Sequence, residues 1–285
     1  MNPKIEKLDS YVLKTLDTLS GWKYPEIDIP KSDYNVFMGS GSGACVAELF
    51  TKKFGGIFLK AHDYKDFLQR GIEKSWKSIN IVSASGGKDA VNMAKLCKDM
   101  GYDVNLITCN PNPPCKELVK KIFFFPSFSD PPTYNVSTYF SMIHWLFNED
   151  IQEIKIFLSQ IKKINLRKYK YIFFVSDDKF ASIAQMGYRK IGESLQGLGA
   201  NGEGSSQAAH GVILQPNKNR LVIRLNCDFP VSGNVTDIKI NSYLGLLSAV
   251  YYIIGQNQKD SDIKNTLDQY AKTVKHNNWQ LSERQ

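Results

Sequence analysis

The sequence predicts an α/β protein built as two three-layer α/β/α sandwich domains, each around a mainly parallel sheet. Three observations carry this. Short apolar runs alternate with helical patterns, the order that covers a parallel sheet on both faces. Two of those runs end in small Gly/Ser loops that open directly into helices, Gly39-Ser40-Gly41-Ser42-Gly43 and Ser83-Ala84-Ser85-Gly86-Gly87. The alternation then restarts at Tyr169, so two α/β units of similar order share the chain, with no residue-level repeat. The expected divisions are residues 1–34 as a helix and connection, 35–165 as the first domain, and 166–285 as the second with a helical tail.

The first segment carries Ile5, Leu8, Val12, Leu16 and Leu19 on one helical face and is charged elsewhere, with no apolar leader segment. Two prolines make Tyr24 to Asp33 a connection. Asn35 to Met38 is a strand, the first Gly/Ser loop follows, and Ala44 to Phe54 continues as a helix. Gly56 to Leu59 and Ile79 to Val82 are the next strands. Apolar residues at Val91, Ala94, Leu96 and Cys97 make the following stretch helical; Asp103 to Thr108 and Lys121 to Phe125 are strands. Ser127 to Thr133 is a loop, and Ser137 is the expected N-cap of a helix running to about Asn148. Asp150 to Ile164 reads as a further amphipathic helix.

In the second half, Tyr171 to Val175 is a strand, Phe180 to Leu195 a helix, and Gly197 to Ala209 a loop of small polar residues. Val212 to Leu214 and Leu221 to Leu225 are strands. Ile240 to Gln256 is a strongly apolar helix and Asp260 to Lys275 the last one.

The chain has 285 residues, 42% hydrophobic and 22% charged, enough for one large or two small cores. No apolar run is long enough to span a membrane. Five cysteines without CxxC spacing read as reduced thiols of a cytoplasmic protein, and they form no metal site. The net charge of +8 suits phosphorylated partners or nucleic acid. The lysines are spread out (Lys52-Lys53, Lys120-Lys121, Lys162-Lys163, Lys168, Lys170), without a dense basic stripe carrying interleaved aromatics. They read as solvated helix faces, so neither nucleic acid nor membrane is an expected partner.

The two Gly/Ser loops are the chemistry-bearing feature. The first N–H groups of a helix lack partners and carry the positive end of its dipole, which suits an anion. Glycine lets a ligand approach the backbone, and serine hydroxyls add adjustable hydrogen bonds. Lys88 adds a point charge at the first turn. An ordinary strand-to-helix turn explains the same residues. The first loop lacks the further glycine and downstream acid of a dinucleotide fingerprint, so no Rossmann cofactor is expected. Both loops sit at carboxyl ends of strands, where ligands of parallel sheets bind.

Together with these loops, two further segments carry a resemblance: Gly187 to Gly211 (GYRKIGESLQGLGANGEGSSQAAHG) and the tail, Leu246 to Gln256 and Leu267 to Lys275. From about Asn35 onward the chain resembles the sugar isomerase domain family in its double-domain form. It is similar to the isomerase half of glucosamine-6-phosphate synthase and, in length and plan, to archaeal phosphoglucose/phosphomannose isomerases. The resemblance implies a hexose phosphate isomerase that interconverts aldose and ketose through the open-chain sugar, without cofactor or metal. It places Ser83, Ser85 and Gly86 in the phosphate loop with Lys88, and Ser40, Gly41 and Ser42 in the first loop. It makes Glu193 the base between C1 and C2, His210 the ring-opening acid/base, and Lys272 the tail lysine at the sugar.

The chain departs from the family at Lys88, where threonine is usual, and at Gly43, where serine is usual. The spacing of Glu193 and His210 admits a one-residue shift, which leaves Glu203 as a rival base. The residues by themselves favour a solvated helix-end acid for Glu193 and a loop histidine capping a backbone group for His210; the catalytic roles come from the resemblance. The resemblance further implies a homodimer in which His210 can act in trans. Two other readings stay open: a non-catalytic sugar-phosphate sensor, motivated by Lys88 and Gly43, and an amino-sugar phosphate deaminase, which shares the proton-transfer chemistry.

Overall fold

Asn35–Gly39 (β1) is buried at every position, as a strand covered on both faces must be. It is the second strand of a five-stranded sheet in the computed structural model of the chain. The structure describes residues 5–60, 63, 76, 78–128, 130–131, 133–210 and 215–276, with side chains of the last helix as far as Asp268. The expected strand at Val212 to Leu214 lies outside the described residues. By its contacts the chain divides into two compact units that interleave in sequence. One comprises residues 21–128 and 137–148; the other comprises 1–20, 129–136 and 149–285.

The 21–128 unit holds Gly41–Phe54 (α2), Ile57–Lys60 (β2), Ser78–Val82 (β3), Lys88–Asp99 (α3), Val104–Thr108 (β4), Lys121–Phe124 (β5) and nearly all of Val136–Phe147 (α4). All pairings are parallel, in the order β2-β1-β3-β4-β5. Alternation along the strands sorts the core into two layers. Val36, Met38, Ile79, Ile81, Val104 and Leu106 pack with Ala90, Met93, Ala94 and Cys97 of α3. On the other face Phe37 stacks on Phe50 and Phe54 of α2, and Trp145 of α4 stacks on the same two rings. Lys53 Nζ lies 4.6 Å from the Trp145 ring centroid and donates to the Leu146 carbonyl at 2.6 Å.

The second unit holds Leu8–Leu19 (α1), Ile151–Gln160 (α5), Tyr171–Ser176 (β6), Ala181–Ser194 (α6), Gly199–Gly204 (β7), the single turn Ser205–Ala208 (α7), Arg220–Leu225 (β8), Asn234–Ile238 (β9), Tyr243–Gln256 (α8) and Asp260–His276 (α9). Its sheet, order β7-β6-β8-β9, is parallel throughout and repeats the order β2-β1-β3-β4. This repetition is the duplicated architecture that the sequence pattern implies. The buried face of α1 is Leu8, Val12, Thr15, Leu16 and Leu19, and it packs on α8. The helices touch so closely that a Cβ on Gly255 would lie 2.0 Å from the Asp9 nitrogen. Leu244, Leu246, Leu247, Val250, Ile253 and Ile254 are all buried on α8, each contributing about 1.5–3 kcal/mol of transfer free energy.

Four expectations are corrected. The stretch Gly197 to Ala209 is not a loop: it contains β7 and α7. Its small residues are there because α6 crosses the strand in contact, and a Cβ on Gly202 would lie 2.0 Å from the Ala184 carbonyl oxygen. Ser137 is not an N-cap; it lies inside the first turn of α4 and donates to the Phe128 carbonyl at 3.1 Å. The helix expected to reach Ile164 ends at Gln160, with Asp150 as its N-cap, accepting from the Gln152 and Glu153 N–H groups. Finally α2 begins at Gly41 rather than Ala44, so half of the first Gly/Ser loop is helix.

Candidate functional site

The topological switch point of the first sheet lies between β1 and β3, whose connections leave in opposite directions along the sheet. Gly39 pairs with Val82 there, so the two Gly/Ser segments leave the sheet side by side. A Cβ on Gly43 would lie 2.8 Å from the Val82 carbonyl oxygen, a separation that real Cβ atoms do not adopt. That contact explains the glycine at this position: the first turn of α2 rests on the end of β3.

Two helices open at this point, and neither is capped by a side chain. α2 starts at Gly41 behind Ser40, and α3 starts at Lys88 behind Gly87. Their leading N–H groups are donors of the kind that bind anions. Ser83 Oγ accepts from the Gly86 N–H at 3.1 Å and Ser85 Oγ from the Gly87 N–H at 3.2 Å, which leaves each hydroxyl proton to donate elsewhere.

The carbonyl side of the loop is tied down from β4. The Ala84 carbonyl accepts from Thr108 Oγ1 at 3.0 Å and from the Cys109 N–H at 3.2 Å; Asn110 Nδ2 donates to the Ser85 carbonyl at 2.9 Å. With the Ala84 and Ser85 carbonyls strapped back and the Gly86 and Gly87 N–H groups taken by the serine oxygens, the donors left at the loop are the two hydroxyl protons, beside the start of α3. Gly86 has φ +60° and a Cβ there would lie 2.5 Å from Pro113 Cβ, so the turn requires glycine. Cys115 lies beneath it, and burial pushes its thiol up to about 11, so it brings no negative charge. Ser40, Ser42, Ser83 and Ser85 are half-buried, whereas Gly41 and Lys88 are exposed. The seven expected phosphate-binding residues, Ser40, Gly41, Ser42, Ser83, Ser85, Gly86 and Lys88, therefore lie on the two adjacent strand ends.

The corresponding strand end of the second sheet, after β6, already holds a carboxylate. Asp178 accepts from the Ser206 N–H at 2.9 Å and from the Ser205 and Ser206 hydroxyls, and the Ser206 contacts hold its carboxyl below the usual carboxylate range. The anion there is the protein's own.

Glu193 stands in the last turn of α6, 43% exposed, with its Oε2 2.5 Å from Lys190 Nζ. Lys190 is the residue that reading the sequence missed. Its side chain is 2% exposed, and its ammonium also donates to the Thr133 and Tyr134 carbonyls at 2.5 and 2.9 Å and lies 5.2 Å from the Tyr251 ring centroid. A helical i, i+3 Lys/Glu pair is the available sequence signal, but it does not reveal burial. His210 is exposed beyond α7, its N–H donating to the Gln207 carbonyl.

Glu193 precedes the start of β7 and His210 follows its end. They therefore flank opposite ends of a strand about 17 Å long at the usual rise per residue. Glu203, the rival, is at the His210 end of β7, half-buried, with Oε1 accepting from Asn201 Nδ2 at 2.5 Å. Lys272 is on α9, beyond the described side chains.

No family profile and no curated protein matches the chain. Solved structures do match it over nearly its whole length. Glucosamine-6-phosphate deaminase from Thermotoga maritima aligns at 13% identity over 92% of this chain and 91% of its own, with a TM-score of 0.57. Tagatose-6-phosphate ketose/aldose isomerase from Escherichia coli aligns at 12% identity over 92% and 88%, also at 0.57. The C-terminal domain of glucosamine-fructose-6-phosphate aminotransferase from Francisella tularensis aligns at 9% identity over 92% and 95%, at 0.59. The chain thus has the α/β/α sandwich fold found in these sugar-phosphate proteins. At such identities the likeness is one of fold.

Proposed function

We propose that the protein is an aldose–ketose isomerase acting on a hexose phosphate. The single observation that carries this is the pairing of two uncapped helix starts with the Ser83 and Ser85 hydroxyls at one switch point, built to present donors to an anion. The dianionic phosphate group of the sugar fills that description. Binding energy from the remote phosphate then positions the reacting carbons. Glu193 takes the proton from one carbon of the C1–C2 pair and returns it to the other, His210 opens the ring, and Lys272 assists at the sugar. Lys190 fixes the Glu193 carboxylate from behind. No step calls for a metal or cofactor.

The separation of Glu193 and His210 along β7 supports a homodimer in which the histidine serves the other subunit's substrate. It equally favours a second reading: a single chain lacking a paired acid and base would be a sugar-phosphate sensor. The deaminase reading, with the same proton transfer, is separated by ammonia release.

The test offers fructose 6-phosphate, glucose 6-phosphate, mannose 6-phosphate and glucosamine 6-phosphate to the purified protein, with thermal shifts measured beside turnover. Turnover that is lost in Glu193→Gln while ligand-induced stabilisation persists supports the isomerase. Stabilisation without turnover for any sugar selects the sensor. Turnover unchanged in Glu193→Gln but lost in Glu203→Gln moves the base to Glu203. A hydrogen bond to a charged group contributes about 1.5–3 kcal/mol, so Ser83→Ala should weaken phosphate binding about 10- to 150-fold.

A further inference from the structure

The lysines of the second unit are dispersed in sequence, and the fold gathers three of them. Lys168 and Lys170 precede β6 and Lys218 precedes β8. The two strand starts are tied together, because the Lys170 and Tyr171 N–H groups both donate to the Asn219 carbonyl, at 2.8 and 3.2 Å. All three lysines are exposed, as are Lys162 and Lys163 on the same stretch. Residues 161–172 and 215–221 contain no Asp or Glu. Arg167 is held by Asp262 and Arg220 by the Gln215 carbonyl, which leaves the lysines as the outward charges.

Two tyrosines alternate with them. Lys168 Nζ lies 5.9 Å from the Tyr169 ring centroid, and Tyr171 is 37% exposed. Burial raises the Tyr171 phenol above its usual pKa, with the Glu203 carboxylate adding to the effect and Arg220 opposing it. The side-chain amides of Asn217 and Asn219 are exposed beside the lysines.

We propose that this amino-terminal pole of the second sheet binds single-stranded nucleic acid, with Lys168, Lys170 and Lys218 on successive phosphates and Tyr171 against a base. The three lysines come from the starts of two neighbouring strands, an arrangement that suits a polyanion. The partly exposed Tyr171 ring, which leans over Gly199 of β7, adds what an acidic peptide does not use, since every base offers a face for stacking. The surface is assembled from separate segments, so the linear sequence shows no basic stripe. It is built on the second sheet, whereas the Gly/Ser segments belong to the first, and it does not depend on the isomerase reading.

The experiment is fluorescence anisotropy of a labelled oligouridine of about 20 nucleotides with the full chain, from about 50 to 200 mM salt. The expected dissociation constant is about 10⁻⁶–10⁻⁴ M, with a log–log salt slope near −3.5 if all five exposed lysines reach phosphates. Lys168→Glu/Lys170→Glu/Lys218→Glu should weaken binding at least about tenfold and flatten the slope by about 2, with an unchanged melting temperature. Tyr171→Leu should weaken it about fivefold or more and leave the slope as it was. Absence of binding at the lowest salt overturns the proposal, as does a triple variant that binds like the parent. Equal affinity for polyglutamate, with Tyr171→Leu neutral, overturns it in favour of an acidic polypeptide.

Discussion

Replacing Lys190 by methionine tests whether that lysine is the anchor behind Glu193 or an incidental partner. Lys190→Met keeps the length and most of the apolar stem but removes three donors. The Thr133 and Tyr134 carbonyls lose the ammonium, and a buried carbonyl left unsatisfied costs about 1–3 kcal/mol. Breaking a fully buried ion pair costs about 3–5 kcal/mol. Here the upper end does not apply, because Glu193 is 43% exposed and water replaces much of what it loses. Gain from burying a thioether offsets part of the rest. The expected net is about 2–4 kcal/mol. At about 2–4 °C per kcal/mol for a chain of this size, melting falls by about 5–15 °C.

Glu193→Gln is the contrasting variant. It leaves the lysine its two carbonyls and a neutral acceptor, and should cost less than about 1 kcal/mol. The assay is thermal melting by circular dichroism for both single variants and the double, the cycle giving the Lys190–Glu193 coupling directly. Equal losses for Lys190→Met and Glu193→Gln would refute the reasoning, since the cost would then reside in the ion pair. A Lys190→Met protein that melts with the parent would refute it too.

Three further outcomes follow from the same geometry. Gly43→Ser forces a Cβ to 2.8 Å from the Val82 carbonyl oxygen, so it should destabilise by about 1–3 kcal/mol in thermal melting and loosen the grip on hexose phosphates. Lys88→Glu exchanges a cation for an anion at the positive end of α3, which should stabilise the free protein by about 0.3–1 kcal/mol while abolishing ligand-induced thermal shift.

Glu149 caps α8 by accepting from the Tyr243 and Leu244 N–H groups at 2.6 Å each, yet burial raises its pKa above the usual glutamate value. The folded state then holds that proton to higher pH than the unfolded chain does. The residue's contribution to stability is full below the unfolded pKa and falls as pH rises through the folded one. Melting profiles of the parent and Glu149→Gln across that window should converge or cross as pH increases; parallel profiles would show that the carboxyl titrates normally.

Much of the fold is legible in the sequence because period and punctuation agree with it. β1, β3, β4 and β6 are apolar runs bounded by turn residues, and α1 shows its buried face residue by residue. β7 is the instructive failure. Its sequence, Gly-Ala-Asn-Gly-Glu-Gly, has the composition of a loop, because the side chains a strand would show are excluded where α6 lies directly on the backbone. Propensity reports what fits a half-buried pleat, and here a helix backbone fills that space. β9 was similarly hidden, with only Ile238 fully buried along its length. The two candidate segments are visible as Gly/Ser runs, but not the straps from Thr108 and Asn110 that hold the Ala84 and Ser85 carbonyls, since those straps arrive from another strand.

The two sheets share a strand order but not the chemistry at their switch points, and the difference bears on function. In the first sheet the charges at the two strand ends are Lys88 and Asp89, both exposed in the first turn of α3, and no side chain caps either helix start. In the second, Asp178 already occupies the donors of Ser205 and Ser206. An anion brought there would meet a carboxylate held in its ionised form, and at such range like charges repel. One sheet therefore keeps its anion position open and the other fills it from within. On the proposed reading, a chain built on two copies of one topology then keeps one anion position for ligand, which suits a monophosphorylated sugar. Asp178→Asn tests this separation. It should leave hexose phosphate binding at the first sheet unchanged, while Ser85→Ala weakens it; loss of binding in Asp178→Asn would place the phosphate at the second sheet instead.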